Sequence, residues 1–236
     1  MRTIAVISGK GGVGKTTIAG NLGVIASMKF GKSVLMADCN ITASHLGISM
    51  GIDHYHATMN HVLRGHAHVN EAIYNHSSGA KVLPASIAFK DLEGIDTSLL
   101  TDVVNRIRKF SGIETLLLDC SPGLGRDVMA ALNASDEVLM VATPYITSVM
   151  DIIKCSHAID RSRCKVLGVA VNMTGSSTHE LSSKEIEGIT GLDVIASIPR
   201  DKEVLKSTSL RLPVFMMNPT CKASRKMEKL ADVLMR

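Results

Sequence analysis

The chain has 236 residues, of which 45% are hydrophobic, and a net charge of only +4. This length suits one large α/β domain over residues 1–236, and the apolar content excludes a disordered chain. No apolar run reaches the ~18 residues that a membrane-spanning helix needs. Strand-like residues begin at Thr3, which leaves no room for a signal peptide. Five cysteines without a CxxC pair predict free thiols and a cytoplasmic location.

Short apolar runs alternate with amphipathic segments along the chain. The runs predict strands at 3–8, 33–37, 81–83, 115–118, 137–142, 165–171 and 193–198. Most are continuously apolar, which is typical of strands buried on both faces. The segments between them predict helices at 15–29, 97–109, 148–161, 182–189 and 222–235. This alternation predicts an α/β fold with a single doubly wound, mostly parallel β-sheet flanked by helices.

A glycine-rich loop lies between the first predicted strand and the first predicted helix. It fits the pattern G-x-x-x-x-G-K-[ST], and this strand–loop–helix context is the one that the pattern requires. Glycines let successive N–H groups point at phosphate oxygens, and the helix N-terminus attracts the anion. Lys15 would contact the β- and γ-phosphates, and the Thr16 hydroxyl would bind Mg²⁺. The loop predicts nucleoside triphosphate binding by Gly11, Gly12, Val13, Gly14, Lys15, Thr16 and Thr17.

Two more predicted strands end in a carboxylate, at Asp38 and at Asp119. Ligands of open α/β sheets bind at the carboxyl edge of the strands, where both acids lie. Asp119 follows the apolar residues Leu116–Leu118, as a Walker B aspartate does, and would hold Mg²⁺ through water. Asp38 is a candidate metal ligand and catalytic residue. Either acid alone could be a helix cap, but two acids beside a phosphate loop favour a nucleotide-binding site. The segment Ser121-Pro122-Gly123, which follows Asp119, predicts a flexible switch beside the γ-phosphate.

The positive charge is concentrated near the C-terminus. From Arg200 to Arg236 there are nine basic and four acidic residues, and nine minus four gives +5. The excess could form a patch for DNA or an anionic membrane, or simply a solvated helical face. The predicted helix at 222–235 has one apolar stripe, which favours packing on the sheet over a membrane-surface helix.

Six of the nine histidines lie between positions 54 and 76. They are His54, His56, His61, His66, His68 and His76. Imidazole is a common metal ligand, so a metal site is one interpretation. No cluster of carboxylates or cysteines accompanies them, which favours solvated surface histidines.

A second lysine in the loop, Lys10, gives it the form K-G-G-x-G-K-[ST]. Further matching segments are Asp38-Cys39-Asn40, Leu83-Pro84-Ala85, Asp119-Cys120-Ser121-Pro122-Gly123, Thr143-Pro144 with Ser148 and Asp151, Asn172, and Ile198-Pro199-Arg200-Asp201. Together they resemble the MinD/ParA family of deviant Walker A P-loop ATPases, over positions 1 to about 235. Within that family the chain is most similar to the MinD-like ATPases of cell division and positioning.

The resemblance implies a Mg²⁺-dependent ATPase that forms a homodimer with ATP and acts on a protein partner. Two subunits would enclose two ATP molecules, and Lys10 would reach across to the other subunit's phosphates as a catalytic residue, with Lys15 and Asp38 in its own site. Asn172 and the backbone around Pro199–Val204, which includes Asp201, would hold the adenine. Met173 and Thr174 follow Asn172, so the aspartate of a guanine-reading NKxD is missing, which favours ATP or ADP over guanine nucleotides.

Asn40 departs from the family pattern, which usually has a second aspartate at this position. That carboxylate orients and activates the attacking water, whereas an amide can hydrogen-bond water but cannot accept its proton. We therefore expect slow hydrolysis and a long-lived ATP-bound dimer. MinD-like proteins often have a basic amphipathic helix after the domain, and none is expected after 222–235. Peripheral membrane contact would then need a partner or the basic C-terminal residues.

Three functions follow from these features. The first is a MinD-like switch that positions a cell-division or polar apparatus by ATP-dependent dimerisation. The second is a ParA-like partition ATPase that associates with DNA through the basic C-terminal residues. The third is an adaptor that recruits partners in its nucleotide-bound state with little turnover. Related carriers of iron–sulfur clusters need paired cysteines at the dimer interface, and the spacing of Cys39 and Cys120 does not form such a pair.

Overall fold

Eight strands form one sheet in the part of the chain that the computed structural model describes, residues 1–159, 162 and 164–235. In chain order they are β1 (Arg2–Ser8), β2 (Val34–Cys39), β3 (Tyr74–Asn75), β4 (Lys81–Leu83), β5 (Thr115–Pro122), β6 (Glu137–Ala142), β7 (Lys165–Thr174) and β8 (Val194–Pro199). Their order across the sheet is β3-β4-β2-β5-β1-β6-β7-β8. Every neighbouring pair is parallel except β3 with β4. The predicted mostly parallel sheet is confirmed.

Helices connect the strands and cover both faces of the sheet. They are α1 (Lys15–Phe30), α2 (Leu46–Ser49), α3 (Met59–Leu63), α4 (Leu100–Arg108), α5 (Arg126–Asn133), α6 (Ile146–Ile159), α7 (Ser183–Thr190), α8 (Lys202–Ser209), α9 (Val214–Met217) and α10 (Lys222–Met235). Short 3-10 turns lie at Val69–Ala72, Phe89–Asp91 and Thr97–Leu99. None of the described helices is both long and apolar enough to cross a bilayer.

Strand β1 shows why the apolar runs are continuous. Ile4 and Val6 belong to the core formed with α1 and α10, whereas Ala5 and Ile7 belong to the core formed with α4, α5 and α6. Successive side chains of a strand point to opposite faces, and helices cover both faces here. All four side chains are therefore fully buried.

The predicted apolar stripe of the last helix packs against the sheet. In α10 the side chains of the stripe are at most 1% exposed, and they belong to the core shared with α1. They are Ala223, Met227, Leu230, Ala231 and Leu234. The packing interpretation is confirmed, and the membrane-surface interpretation of this stripe is wrong because the sheet already covers it.

Some boundaries and elements differ from the sequence prediction. Strand β5 continues past position 118 to Pro122, because Pro122 pairs with Ser8 of β1. Strand β3 and helices α5 and α8 were not predicted. The predicted helix at 148–161 corresponds to α6, which begins earlier, at Ile146. Its predicted last residue, Arg161, lies outside the described residues, as does Arg236 of the basic C-terminal set.

Helix α1 approaches strand β2 unusually closely at Gly23. A Cβ atom at this position would lie 2.2 Å from Sδ and 2.6 Å from Cγ of Met36, which is fully buried in β2. The glycine therefore sets the depth at which α1, and with it the phosphate loop, sits on the sheet. Gly188 in α7 is the opposite case, since it is exposed and a Cβ there would meet no atom within 4 Å.

We expect Gly23→Ala to lower the free energy of unfolding by about 1–3 kcal/mol, because the new methyl group overpacks the buried contact with Met36. Gly188→Ala, the matched control, should raise it by about 0.5–1 kcal/mol, because alanine is the better helix former where space is open. Urea denaturation of both variants measures this. A Gly23→Ala protein as stable as the native one would show that this contact is not tight.

Candidate nucleotide-binding site

The phosphate loop joins the end of β1 to the start of α1. Gly12 and Gly14 have φ angles of 78° and 93°, in the left-handed region that side chains rarely adopt. Gly14 is the N-cap of α1, and no side chain caps the helix there. The N–H groups of its first turn are therefore left for an anion, which is the arrangement that the sequence pattern predicts.

Lys15 lies over this loop and is only 7% exposed. Its Nζ atom donates a hydrogen bond to Ser8 Oγ at 2.9 Å, and Ser8 Oγ donates to the Lys10 carbonyl at 2.7 Å. Burial lowers the pKa of Lys15, and the nearby Asp119 partly offsets this. Ser8, which sequence reasoning missed, thus holds the ammonium group in place; its only sequence signal is its position directly before Gly9.

Asp38 and Asp119 are direct neighbours in register on β2 and β5. Asp119 is 1% exposed, and neither of its side-chain oxygens has a hydrogen-bond partner in the described part of the chain. Burial and then the charge of Asp38 raise the pKa of Asp119 to about 7, although Thr16 and Lys15 lie near enough to lower it. The Thr16 hydroxyl makes no hydrogen bond of normal geometry to it.

An unpaired buried carboxylate is costly unless a charge or donor compensates it. Hard oxygen ligands beside a phosphate site are the set that Mg²⁺ prefers. Asp119 and Thr16 therefore fit the predicted metal, and the tendency of Asp119 to bind a proton reflects the same need for positive charge.

Asp38 has a different environment from its neighbour. Its Oδ1 atom accepts from the Asn40 N–H at 3.0 Å, and its Oδ2 atom accepts from the Ser44 hydroxyl at 2.7 Å and the Leu46 N–H at 3.1 Å. Burial raises the pKa of Asp38, and these hydrogen bonds oppose the rise. The carboxylate thus anchors the segment 40–46 to the end of β2. Its predicted metal-binding and catalytic roles stay predictions.

Asn40 is buried beside this anchor and has a defined orientation. Its amide nitrogen donates to the Ala43 carbonyl at 2.6 Å, and its amide oxygen lies 3.1 Å from Ser121 Oγ. The two ends of the amide are therefore distinguished by their partners. The structure brings this residue to the end of β5, 81 positions further along the chain.

Asn172, on strand β7, contacts the phosphate loop. Its Nδ2 atom donates to the Val13 carbonyl at 2.8 Å, and a Cβ on Gly14 would lie 2.2 Å from the same atom. Its side-chain oxygen and its second amide N–H are not used by this bond. A largely apolar pocket adjoins it, lined among others by Thr17, Met173, Pro199, Val204, Leu205 and Met227.

Asp201, predicted to hold the adenine, also lines this pocket. Its carboxylate is engaged elsewhere, because Oδ1 accepts from the Glu203 N–H at 3.0 Å and Oδ2 accepts from the Ala223 N–H at 3.2 Å. It therefore caps α8 and fixes the start of α10, and the predicted contact of its backbone with the adenine stays a prediction.

The Lys10 side chain contacts helix α6. Its Nζ atom lies 3.4 Å from Thr147 Oγ1. Gly9 packs so closely on α6 that a Cβ there would lie 2.2 Å from Cβ of Asp151. The surface around Lys10 carries apolar side chains, since Tyr145, Ile146 and Met150 are 38%, 51% and 47% exposed.

The clustered histidines do not form a metal site. His54, His56, His66 and His68 are exposed, as predicted. His61 and His76 are partly buried and hydrogen-bond to the neighbouring Thr58 and Ser78 hydroxyls. Within the described residues there is no group of three or more side chains that could hold a metal ion through His, Cys, Asp or Glu.

All five cysteines are free, as predicted. The structure does bring Cys39 and Cys120 together as register neighbours on β2 and β5, which the spacing did not predict. Both are buried, and burial raises the pKa of each thiol. Neutral thiols inside the sheet do not suit a cluster shared between subunits, which needs accessible thiolates.

These features define a P-loop nucleoside triphosphatase. A glycine loop precedes a helix that no side chain caps, a buried lysine follows the loop, and the adjacent strand β5 has a buried aspartate without a hydrogen-bond partner among the described residues. A family model described as an AAA domain matches residues 1–169. An uncharacterised ATP-binding protein of Methanocaldococcus jannaschii is 34% identical over 98% of this chain and 86% of its own length. The chain belongs to the MinD/ParA family of P-loop ATPases.

Two solved structures have the same fold over nearly the whole chain. The cell division ATPase MinD of Pyrococcus furiosus is 30% identical, with a TM-score of 0.94 over 99% of this chain and 98% of that one. The septum site-determining protein MinD of Pyrococcus horikoshii, complexed with Mg-ADP, is 27% identical, with a TM-score of 0.94 over 99% and 95%. The predicted cofactors, ATP or ADP with Mg²⁺, agree with the nucleotide and metal of the latter structure.

Asp119→Asn should change the pH dependence of stability of the nucleotide-free protein. The pKa of this carboxyl rises from 3.8 to about 7 on folding, so between these values the folded state binds more protons than the unfolded state. Its contribution to stability is therefore present at low pH and is lost as the pH rises toward and through 7. The variant should lose the decline in the free energy of unfolding that Asp119 causes. Its free energy of unfolding relative to that of the native protein should therefore be higher at pH 8 than at pH 5.

Urea denaturation at both pH values, without nucleotide or metal, measures the effect. Asp102→Asn, at an exposed acid of α4, is the control and should leave the pH dependence unchanged. An equal decline in the native protein and the Asp119→Asn variant would assign the pH dependence to other groups.

Proposed function

We propose that the protein is a MinD-like switch that binds ATP with Mg²⁺, forms a homodimer in that state and positions a cell-division or polar apparatus through a protein partner. The observation that carries the proposal is that the two lysines of the loop lie in different environments. Lys15 is buried over the loop, whereas Lys10 lies on an outer face beside α6. A lysine held there serves the phosphates of a second subunit better than those of its own.

The surface around Lys10 supports a dimer. Tyr145, Ile146 and Met150 expose apolar area next to the loop, and such area is stabilised by burial against a partner. A second copy would place its own Lys10 against this site by symmetry, since a two-fold interface uses the same patch on both subunits. The names of the two Pyrococcus proteins support a role in cell division.

The chain's own residues account for phosphate binding and charge stabilisation. The loop N–H groups and Lys15 bind the phosphates, and Lys15 stays oriented through Ser8. When bound, Mg²⁺ would neutralise charge on the phosphate oxygens, held by Thr16 and Asp119 with Asp38 beside it. Asn40 cannot take a proton from water, so slow turnover belongs to the proposal.

The alternative ParA-like function is favoured by one surface. Lys222, Arg225, Lys226 and Lys229 are all exposed along α10. Such a basic face attracts DNA or an anionic bilayer, and either would keep the protein in the cytoplasm or at the membrane periphery. Sedimentation with random-sequence DNA and with anionic vesicles, each with ATP at increasing salt, distinguishes them. The low-turnover adaptor is distinguished by ATP-driven dimerisation without phosphate release.

Lys10→Ala should abolish ATP-dependent dimerisation while leaving ATP binding by the monomer within a few-fold of native, because Lys10 does not contact the site of its own subunit. Light scattering on a sizing column with ATP, with ADP and without nucleotide gives the mass of each state. Lys109→Ala, at an exposed lysine at the end of α4, is the matched control and should dimerise normally. Dimerisation of the Lys10→Ala protein with ATP would contradict the role proposed for this lysine.

Asn40→Asp should raise the rate of phosphate release, because a carboxylate at this position can accept a proton from the attacking water. Acid–base catalysis contributes about 10²–10⁴-fold in general, and the gain here should reach at least about tenfold. Steady-state phosphate release at saturating ATP measures it. An unchanged rate with intact ATP binding would show that residue 40 does not face the attacking water.

A further inference from the structure

Ser121, at the end of β5, contacts two acceptors at once. Its Oγ atom lies 3.1 Å from the Asn40 side-chain oxygen and makes a short contact with Asp127 Oδ2. A hydroxyl has one proton, so it can donate to only one of them at a time. The carboxylate is the stronger acceptor and the closer one, so the proton belongs to the bond with Asp127.

Asp127 is held in place at the start of α5. Its other oxygen, Oδ1, accepts from the N–H of Val128 at 2.9 Å. Gly125 permits this arrangement, since a Cβ there would lie 2.7 Å from Oδ1. The carboxylate is thus positioned by its own helix and directed at Ser121.

The same network explains why residue 40 is an amide. The Asn40 nitrogen donates to the Ala43 carbonyl at 2.6 Å, a position where a carboxylate oxygen would meet a second acceptor. Its oxygen shares Ser121 with Asp127, so a carboxylate at 40 would also face a second negative charge across one hydroxyl. In this chain the negative charge of the network is on α5, and the neutral partner is on the 40–46 segment.

Ser121 lies close to the phosphate loop. The next residue, Pro122, pairs with Ser8, and the Gly123 N–H donates to the Ser8 carbonyl at 2.9 Å. Ser8 is the residue whose hydroxyl holds the Lys15 ammonium group. The backbone that follows Ser121 therefore contacts the residue that orients Lys15, the lysine that the proposed function assigns to the phosphates.

We infer that Asp127 is a positioning residue for ATP hydrolysis that acts through Ser121. It accepts the proton that Asn40 cannot accept, but it does so through an intervening hydroxyl and therefore more slowly than a carboxylate at position 40 would. The inference rests on the proposed ATPase function. Water transfers a proton to Ser121 Oγ as the Ser121 proton moves to the Asp127 carboxylate, so the serine stays neutral and Asp127 becomes a carboxylic acid. The water oxygen forms a bond to the γ-phosphorus, and the bond from that phosphorus to the bridging oxygen breaks. The electron pair of the broken bond stays on the bridging oxygen and leaves with ADP. The proton on Asp127 then returns to solvent.

Asp127→Asn should lower kcat for phosphate release about tenfold or more, with KM for ATP and ATP-driven dimerisation unchanged, because the variant keeps the shape of the side chain and loses only its basicity. Asp102→Asn is the matched control, since Asp102 is an exposed acid in the first turn of α4, as Asp127 is in that of α5. It should turn over at the native rate.

Two further variants separate a relay from a structural effect. Ser121→Ala combined with Asp127→Asn should be no slower than Ser121→Ala alone, because the two residues act in one path. Asn40→Asp in the Asp127→Asn background should restore turnover to at least the native rate, because a carboxylate again takes up the proton. Urea denaturation and fluorescent-ATP binding show whether each variant is folded and loaded.

The outcomes distinguish the inference from the function on which it rests. A native protein that neither binds nor hydrolyses ATP would overturn the proposed function and this inference together. Native hydrolysis with an Asp127→Asn rate equal to that of the control overturns the inference alone. Two other results also overturn the inference alone. One is an additive loss of the phosphate-release rate in the Ser121→Ala and Asp127→Asn double variant. The other is an Asn40→Asp and Asp127→Asn double variant that folds and binds ATP but does not recover the native rate.

Discussion

Two carboxylates buried side by side, Asp38 and Asp119, impose the main constraint on this structure. The parallel pairing of β2 with β5 puts them at the same level of the sheet, and burial makes their charges costly. The protein compensates them differently. Asp38 receives hydrogen bonds from the 40–46 segment, whereas the oxygens of Asp119 have no hydrogen-bond partner among the described residues and lie near Lys15 and Thr16. Asp38 therefore orders the 40–46 segment, and Asp119 is left to attract positive charge.

The phosphate loop depends on close packing as much as on its own glycines. Gly23 lets α1 settle against Met36, Gly9 lets the loop touch Asp151, and Gly14 lets Asn172 reach the Val13 carbonyl. In each case a methyl group would push apart two elements that carry site residues. The geometry of the loop is thus fixed from the sheet, from α6 and from β7 together, so that its N–H groups are organised before a nucleotide arrives.

The loop, α6 and the end of β5 also connect the nucleotide site to an outer surface. Lys10 and the exposed side chains of Tyr145, Ile146 and Met150 lie on that surface, and Ser8 joins Lys15 to the Lys10 backbone. A change at the phosphates therefore has a short path to a face that a second subunit could cover. This is the physical basis on which the proposed switch couples nucleotide state to association.

The elements that could be predicted from the sequence are those whose signals are local. The phosphate loop follows from nine consecutive residues, and the runs at 81–83 and 137–142 match their strands because buried parallel strands are continuously apolar. The two-residue strand β3 was missed because it is too short to show a period. Helix α8 was missed because its N-cap is the carboxylate of Asp201, and capping depends on which N–H groups reach it.

The polar contacts within the site depend on how distant segments of the chain pack together. Ser8, Ser44 and Ser121 are single polar residues without any periodic signal, and their partners are set by parallel pairing and by loops rather than by sequence spacing. Asp127 lies far along the chain from Asn40, and the two share one hydroxyl only because β2 and β5 are adjacent and α5 turns back at Gly125. The departure at position 40 was visible in the sequence; the carboxylate beside it was not.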